Sequence, residues 1–93
     1  MEEAFVEECG YTGRPQLGIH NDEMDTYHKD VVHAIKSINR DIRVIALLSH
    51  AGPISSKQDA RDVNKMNASD FSDVADAFAK AATRAQLCGY DAI

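Results

Sequence analysis

The run Ile42-Arg43-Val44-Ile45-Ala46-Leu47-Leu48 decides the fold. It is short, apolar and rich in β-branched residues, with Asn39-Arg40-Asp41 before it and Ala51-Gly52-Pro53 after it. Such a run between turn-forming residues reads as a strand over 42–48, buried on both faces as in a parallel sheet.

Working back toward the N-terminus, Met24, Tyr27, Val31, Ile35 and Ile38 recur at helical spacing and predict a helix over 22–39 with those residues on its inner face. Asn21 is placed to cap it, and Asp22 and Glu23 suit the positive end of its dipole. The segment 8–20 carries Gly10, Gly13, Pro15 and Gly18 and reads as a loop. Before it, Glu3-Ala4-Phe5-Val6-Glu7 fits a short strand within 2–7.

Working forward, 49–66 reads as a polar loop. Asn67-Ala68-Ser69-Asp70 resembles a capping box with Asp70 in the usual Glu position, opening a helix over 68–88. Phe71, Val74, Ala75, Phe78, Ala82 and Ala85 form its apolar stripe, and the alanines permit close packing on a sheet. Gly89 is placed to end it, and Tyr90-Asp91-Ala92-Ile93 begins another strand over 90–93. Strand, helix, strand, helix, strand start is the order of βαβ units, which predicts an α/β fold with a parallel sheet and right-handed crossovers. A buried strand that stops after its first residues is expected of a partial domain.

The 93 residues allow one small domain; 44% are apolar and 27% charged, an ordinary globular balance. The net charge of -5 and the lack of a basic stripe argue against a nucleic-acid partner. No apolar run approaches ~18 residues, so no membrane partner is expected. The start, Met1-Glu2-Glu3, lacks the basic residues of a secretory signal. Cys9 and Cys88 have no ligand-like spacing and read as free thiols in a reducing cytoplasm.

Three segments together resemble the Old Yellow Enzyme family of NADH:flavin oxidoreductases. Residues 6–24, ending Gln16-Leu17-Gly18-Ile19-His20-Asn21-Asp22-Glu23-Met24, are similar to the family's loop after the second barrel strand and the start of the second helix. Ile45-Ala46-Leu47-Leu48-Ser49-His50-Ala51-Gly52 resembles its third strand, usually Gln-Leu-x-His-Ala-Gly-Arg. Phe78-Ala79-Lys80-Ala81-Ala82-Thr83-Arg84-Ala85 and Gly89-Tyr90-Asp91-Ala92-Ile93 resemble the next helix and the entrance of the fourth strand.

The resemblance implies one partial (β/α)8 TIM barrel domain over 1–93, strand 2 to the start of strand 4, of a fold that needs ~250 residues. It implies an FMN-dependent enzyme moving hydride from NAD(P)H through FMN to an electron-poor acceptor. Ala4 (register open by one), Leu47 and His50 are the positions it sets near FMN. Leu47 stands where the family has a flavin-binding glutamine, and Pro53 where it has arginine. The family's substrate histidines and phosphate-binding strands have no counterpart here, so the chain alone is expected to be inactive, with no catalytic residue assigned.

Other chemistry reads weakly. His50 tops a parallel strand, where barrels act, but its motif more often orders the following loop. His20, His28 and His33 read as surface histidines: His28 and His33 are five apart, not an i, i+4 pair, so no metal is assigned. Gly10, Gly13 and Gly18 are not a dinucleotide fingerprint. Arg14 reads as solvated, and Cys9 has no basic residue beside it in sequence to activate it. Asn67-Ala68-Ser69 fits a glycosylation pattern but is explained by capping. The alternative to a flavin-barrel fragment is a non-catalytic α/β module that pairs its open sheet edges with another chain, including a homo-oligomer.

Overall fold

The computed structural model describes residues 3–13, 15–55 and 60–93; Glu2 of the first predicted strand, Arg14 and part of the predicted 49–66 loop lie outside them. The chain is mixed α/β: strand β1 (Ala4–Phe5), helix α1 (Asp25–Ile38), strand β2 (Leu48–Ser49) and helix α2 (Ala68–Leu87).

β1 and β2 are parallel, with Ala4 opposite Leu48 and Phe5 opposite Ser49. The amide of Ala4 donates to Leu47 O at 2.7 Å and that of Val6 to Ser49 O at 3.1 Å. One step earlier the same chain turns its polar groups to the other side: Asp91 N donates to Val44 O at 2.8 Å and Ala46 N to Ala92 O at 3.0 Å. That parallel bridge pairs Ile45 with Ala92, and a further one sets Gly18 beside Phe5. Regular pairing is shorter than the predicted strands over 2–7, 42–48 and 90–93 because residues 44–46 serve one neighbour and 47–49 the other.

Val44 and Ala46 are buried while Ile45 and Leu47 are 57% and 59% exposed. The expectation of a strand buried on both faces is therefore corrected to one of period two, with one covered face. The covered face carries Ala4, Val6, Val44 and Ala46, which cluster with Ile19, Val32, Ala81, Ala85, Cys88 and Tyr90. Both helices thus lie on the same side of the sheet. The near-complete burial of Ala81 and Ala85 reflects close approach of α2 to the strands.

Both helical stripes are rotated in part from their predicted positions: Ile35, Phe78 and Ala85 face the core as expected, and other members do not. In α1 the buried residues are His28 and Val32, with Ile35 packed beside them; Tyr27 and Ile38 are exposed. In α2 the inner row runs through Ala77, Phe78, Ala81 and Ala85, and Phe71 is exposed. The ends follow the sequence more closely. Asn21 accepts from the Glu23 amide and a 3-10 turn, Asp22–Met24, leads into α1. Asn67 and Asp70 form the reciprocal capping box of α2. At its far end Gly89 has φ +98°, Gly89 N donates to Gln86 O and Tyr90 N to Ala85 O, a Schellman closure that requires the left-handed region. Among the described residues no helix is long and apolar enough to cross a membrane.

Candidate functional site

Parallel pairing makes β1 and β2 end at the same edge of the sheet, so the residues that follow them meet. β1 runs into Glu7 and a 3-10 turn, Glu8–Gly10; β2 runs into His50 and a second turn, Gly52–Ile54. Ala51 N donates to Gly10 O at 3.0 Å and ties the two turns together. The His50 ring lies over Gly10 so closely that a Cβ there would be 2.8 Å from His50 Cδ2.

Glu7 is the hub. Arg61 grips its carboxylate with both arms of the guanidinium, Nε to Oε2 at 2.7 Å and Nη2 to Oε1 at 2.8 Å, the bidentate geometry that makes such pairs strong. Oε2 also accepts from the Cys9 thiol at 3.0 Å and lies 3.0 Å from His50 Nε2. The Arg61 hydrogen bonds, aided by those of Cys9 and His50, hold the Glu7 carboxyl down to about 2 against the opposing effect of partial burial. The same pairing raises the Arg61 guanidinium above its ordinary range. Arg61 Nη1 also lies 3.5 Å from Asp70 Oδ1, so the hub reaches the first turn of α2.

Hydrogen-bond partners fix the tautomer of His50. The Gly52 amide donates to Nδ1 at 2.9 Å, so that nitrogen is a lone pair and Nε2 carries the proton that it donates to Glu7. This bond orders the loop after the strand, the role its motif suggested. Cys9 Sγ is 3.8 Å from the same Nε2. Because Nε2 is protonated and directed at Glu7, this arrangement gives Cys9 no imidazole base.

Ala4 and Leu47, set near FMN by the resemblance, are joined directly through the 2.7 Å backbone bond, but their side chains leave opposite faces. The Ala4 methyl is buried toward the helices and Leu47 is exposed on the open face. His50 lies beyond both at the carboxyl edge, its side chain 7% exposed. The other histidines scatter. His33 is exposed, as expected, and His20 stacks on Phe5 with ring centroids 4.9 Å apart. His28 is buried at 2% exposure, which overturns its reading as a surface residue: it lies on the inner row of α1, with polar partners waiting for it.

Glu7 and Arg61 escaped the sequence reading. They are 54 positions apart, and the only local signal was Glu7 itself, a charged residue just past the carboxyl end of a strand in an α/β pattern. Cys9, Glu7 and His50 also place one ligand atom each within 4.8 Å of one another. No protein-family model matches the chain, and no curated protein matches it in sequence.

Proposed function

We propose that the chain is a β/α segment of an FMN-dependent NAD(P)H:flavin oxidoreductase of the Old Yellow Enzyme type, part of a (β/α)8 barrel, and that it supplies staves of the barrel without holding the flavin itself. The Ala4–Leu47 hydrogen bond is the observation that supports this reading. The family order requires the strand carrying Ala4 to lie parallel beside the one carrying Leu47, with connecting helices outside and His50 at the carboxyl edge. The exposed apolar side chains of Ile45 and Leu47 on the face opposite the helices suit a barrel-lining surface.

FMN, when bound in that family, carries the redox chemistry. Ala4, Leu47 and His50 do not fit it well. Ala4 and Leu47 offer no polar side chain, and both ring nitrogens of His50 are engaged, by Gly52 and Glu7. None of the three is therefore given a step in that chemistry. A cytoplasmic setting belongs to the same proposal and is supported by neither Cys9 nor Cys88 lying in a disulfide among the described residues.

Titration with FMN, followed by flavin fluorescence, tests the inactivity: micromolar binding by the chain alone would overturn it. Mixing the chain with the complementary β/α units of a family enzyme tests the kinship. Recovery of a bound-flavin absorption band is expected, and failure to assemble removes the family assignment. The second reading, a non-catalytic α/β module that pairs its sheet edges with another chain or with itself, is favoured by the open face at Ile45 and Leu47. A defined oligomer of this chain in sedimentation, with no flavin uptake in the mixture, supports that reading instead.

A further inference from the structure

We propose that Glu7, Cys9 and His50 form a site for one thiophilic divalent cation of the zinc type, and that Arg61 is a tethered competitor that holds the carboxylate in the ion's place. The proposal does not rest on the flavin reading: it shares the His50 contacts with it, but its argument and its test need no flavin.

A thiol, an imidazole and a carboxylate, from turns at one edge of the sheet, are the three ligand types that zinc takes. Cys9 is 6% exposed, and the side chains of His50 and Glu7 are 7% and 25% exposed, so the ligands are largely shielded from water. Four-coordinate zinc, with sulfur at about 2.3 Å and nitrogen and oxygen at about 2.0 Å, puts neighbouring ligand atoms roughly 3.3–3.6 Å apart. Here Cys9 Sγ to Glu7 Oε2 is 3.0 Å, His50 Nε2 to Glu7 Oε2 is 3.0 Å, and Cys9 Sγ to His50 Nε2 is 3.8 Å. Adjustments of about half an ångström complete three corners of a tetrahedron and leave the fourth for water or a further ligand.

Arg61 and the Gly52 amide oppose the ion, and each has a built-in release. Arg61 Nε occupies Oε2, but Arg61 Nη1 already lies 3.5 Å from Asp70 Oδ1, so the guanidinium can pass its charge to Asp70 while Nη2 stays on Oε1. The second contact is the Gly52 amide on His50 Nδ1. A metal-bound ring carries its proton on Nδ1 and needs an acceptor there. Gly52, at φ +57°, is a residue at which the Ala51–Gly52 peptide can reverse and present the Ala51 carbonyl instead, giving up its 3.2 Å bond from Ile54 N.

On binding, Cys9 loses its thiol proton to solvent and ligates as thiolate. His50 releases the Nε2 proton and takes one on Nδ1. Each ion therefore displaces one net proton, and the affinity rises with pH.

Titration of the reduced, full chain with Co2+ reads the site directly. The expected result is one equivalent bound, with a thiolate-to-cobalt charge-transfer band and tetrahedral visible bands that Zn2+ abolishes. Cys9→Ser, with far-UV circular dichroism confirming its fold, should lose the charge-transfer band, and Cys88→Ser should keep it. Arg61→Gln should tighten binding roughly tenfold or more, the size of a charge-assisted bond no longer displaced. A silent wild-type chain, or a band that survives Cys9→Ser, overturns the site; unchanged or weaker affinity in Arg61→Gln overturns the competitor.

Discussion

The hydroxyl of Tyr90 donates to Nδ1 of His28 at 2.8 Å, joining residues 62 positions apart. On the other side of the ring, Nε2 donates to the Gly18 carbonyl at 2.9 Å. A carbonyl only accepts, so Nε2 carries a proton, and the ring is satisfied at both nitrogens. The segment after α2, the first helix and the segment beside β1 thus share one buried polar residue, with His28 at 2% exposure. Burial of the ring is tolerable because both partners are present.

Tyr90→Phe therefore leaves Nδ1 without a partner in the core and should lower unfolding stability by about 1–3 kcal/mol. His28→Ala, which adds a cavity, should cost more. Urea midpoints of the two single variants and the double variant measure the coupling. An unchanged midpoint in Tyr90→Phe would show that the pair contributes nothing.

Acid should weaken the fold through two carboxylates. Glu7 is held at about 2 from an ordinary 4.5, first by its Arg61 hydrogen bonds. Asp91 is held at about 2 from 3.8, first by Lys36 and then by the Val44 amide. Both folded values are depressed, so the unfolded chain takes up these protons first as pH falls. The stability they contribute is whole above about pH 5 and is lost between about pH 4.5 and pH 2. For Glu7, whose side chain is 25% exposed, the loss is about 2 kcal/mol after allowing for solvent screening. Glu7→Gln should cost stability at pH 7 and little at pH 2, flattening the pH profile of the urea midpoint. A slope unchanged by that substitution would remove Glu7 as its source.

What the sequence disclosed was local. The caps at Asn21 and Asn67, the Asp70 reply and the Gly89 closure were legible because each depends on residues within one turn. The inner row of α1 was not, since a histidine sits on it while Tyr27 and Ile38 decorate the outside. Hydrophobicity alone found Ile35 but missed His28 and Val32. In the stretch 44–48 apolar residues occupy both faces, so the alternation that the structure displays left no trace in the sequence. The Glu7–Arg61 hub was hidden by distance along the chain: no local pattern marks which arginine returns to which carboxylate.

The Gly89 closure makes its own prediction. Its φ of +98° is one that L side chains rarely adopt, and a Cβ there would meet Val32 Cγ1 at 3.3 Å. Gly89→Ala should cost about 1–2 kcal/mol, combining backbone strain with a tight contact. Because Tyr90 follows directly, the displacement should also weaken its bond to His28. The Tyr90→Phe effect should therefore shrink in a Gly89→Ala background, while simple additivity would separate the two features.

The open face supplies the last test. Ile45 and Leu47 are more than half exposed, whereas Val44 and Ala46, which alternate with them, are buried. Surface substitutions usually change stability by no more than about 0.5 kcal/mol, so Ile45→Thr with Leu47→Lys should leave the urea midpoint nearly unchanged. Val44→Ala, on the covered face, should lower stability by about 2 kcal/mol. The same double substitution should reduce any self-association seen in sedimentation velocity, because it removes the apolar surface that a second sheet would cover. A loss of stability equal to that of Val44→Ala would mean that Ile45 and Leu47 are packed in solution, and the one-sided sheet would have to be abandoned.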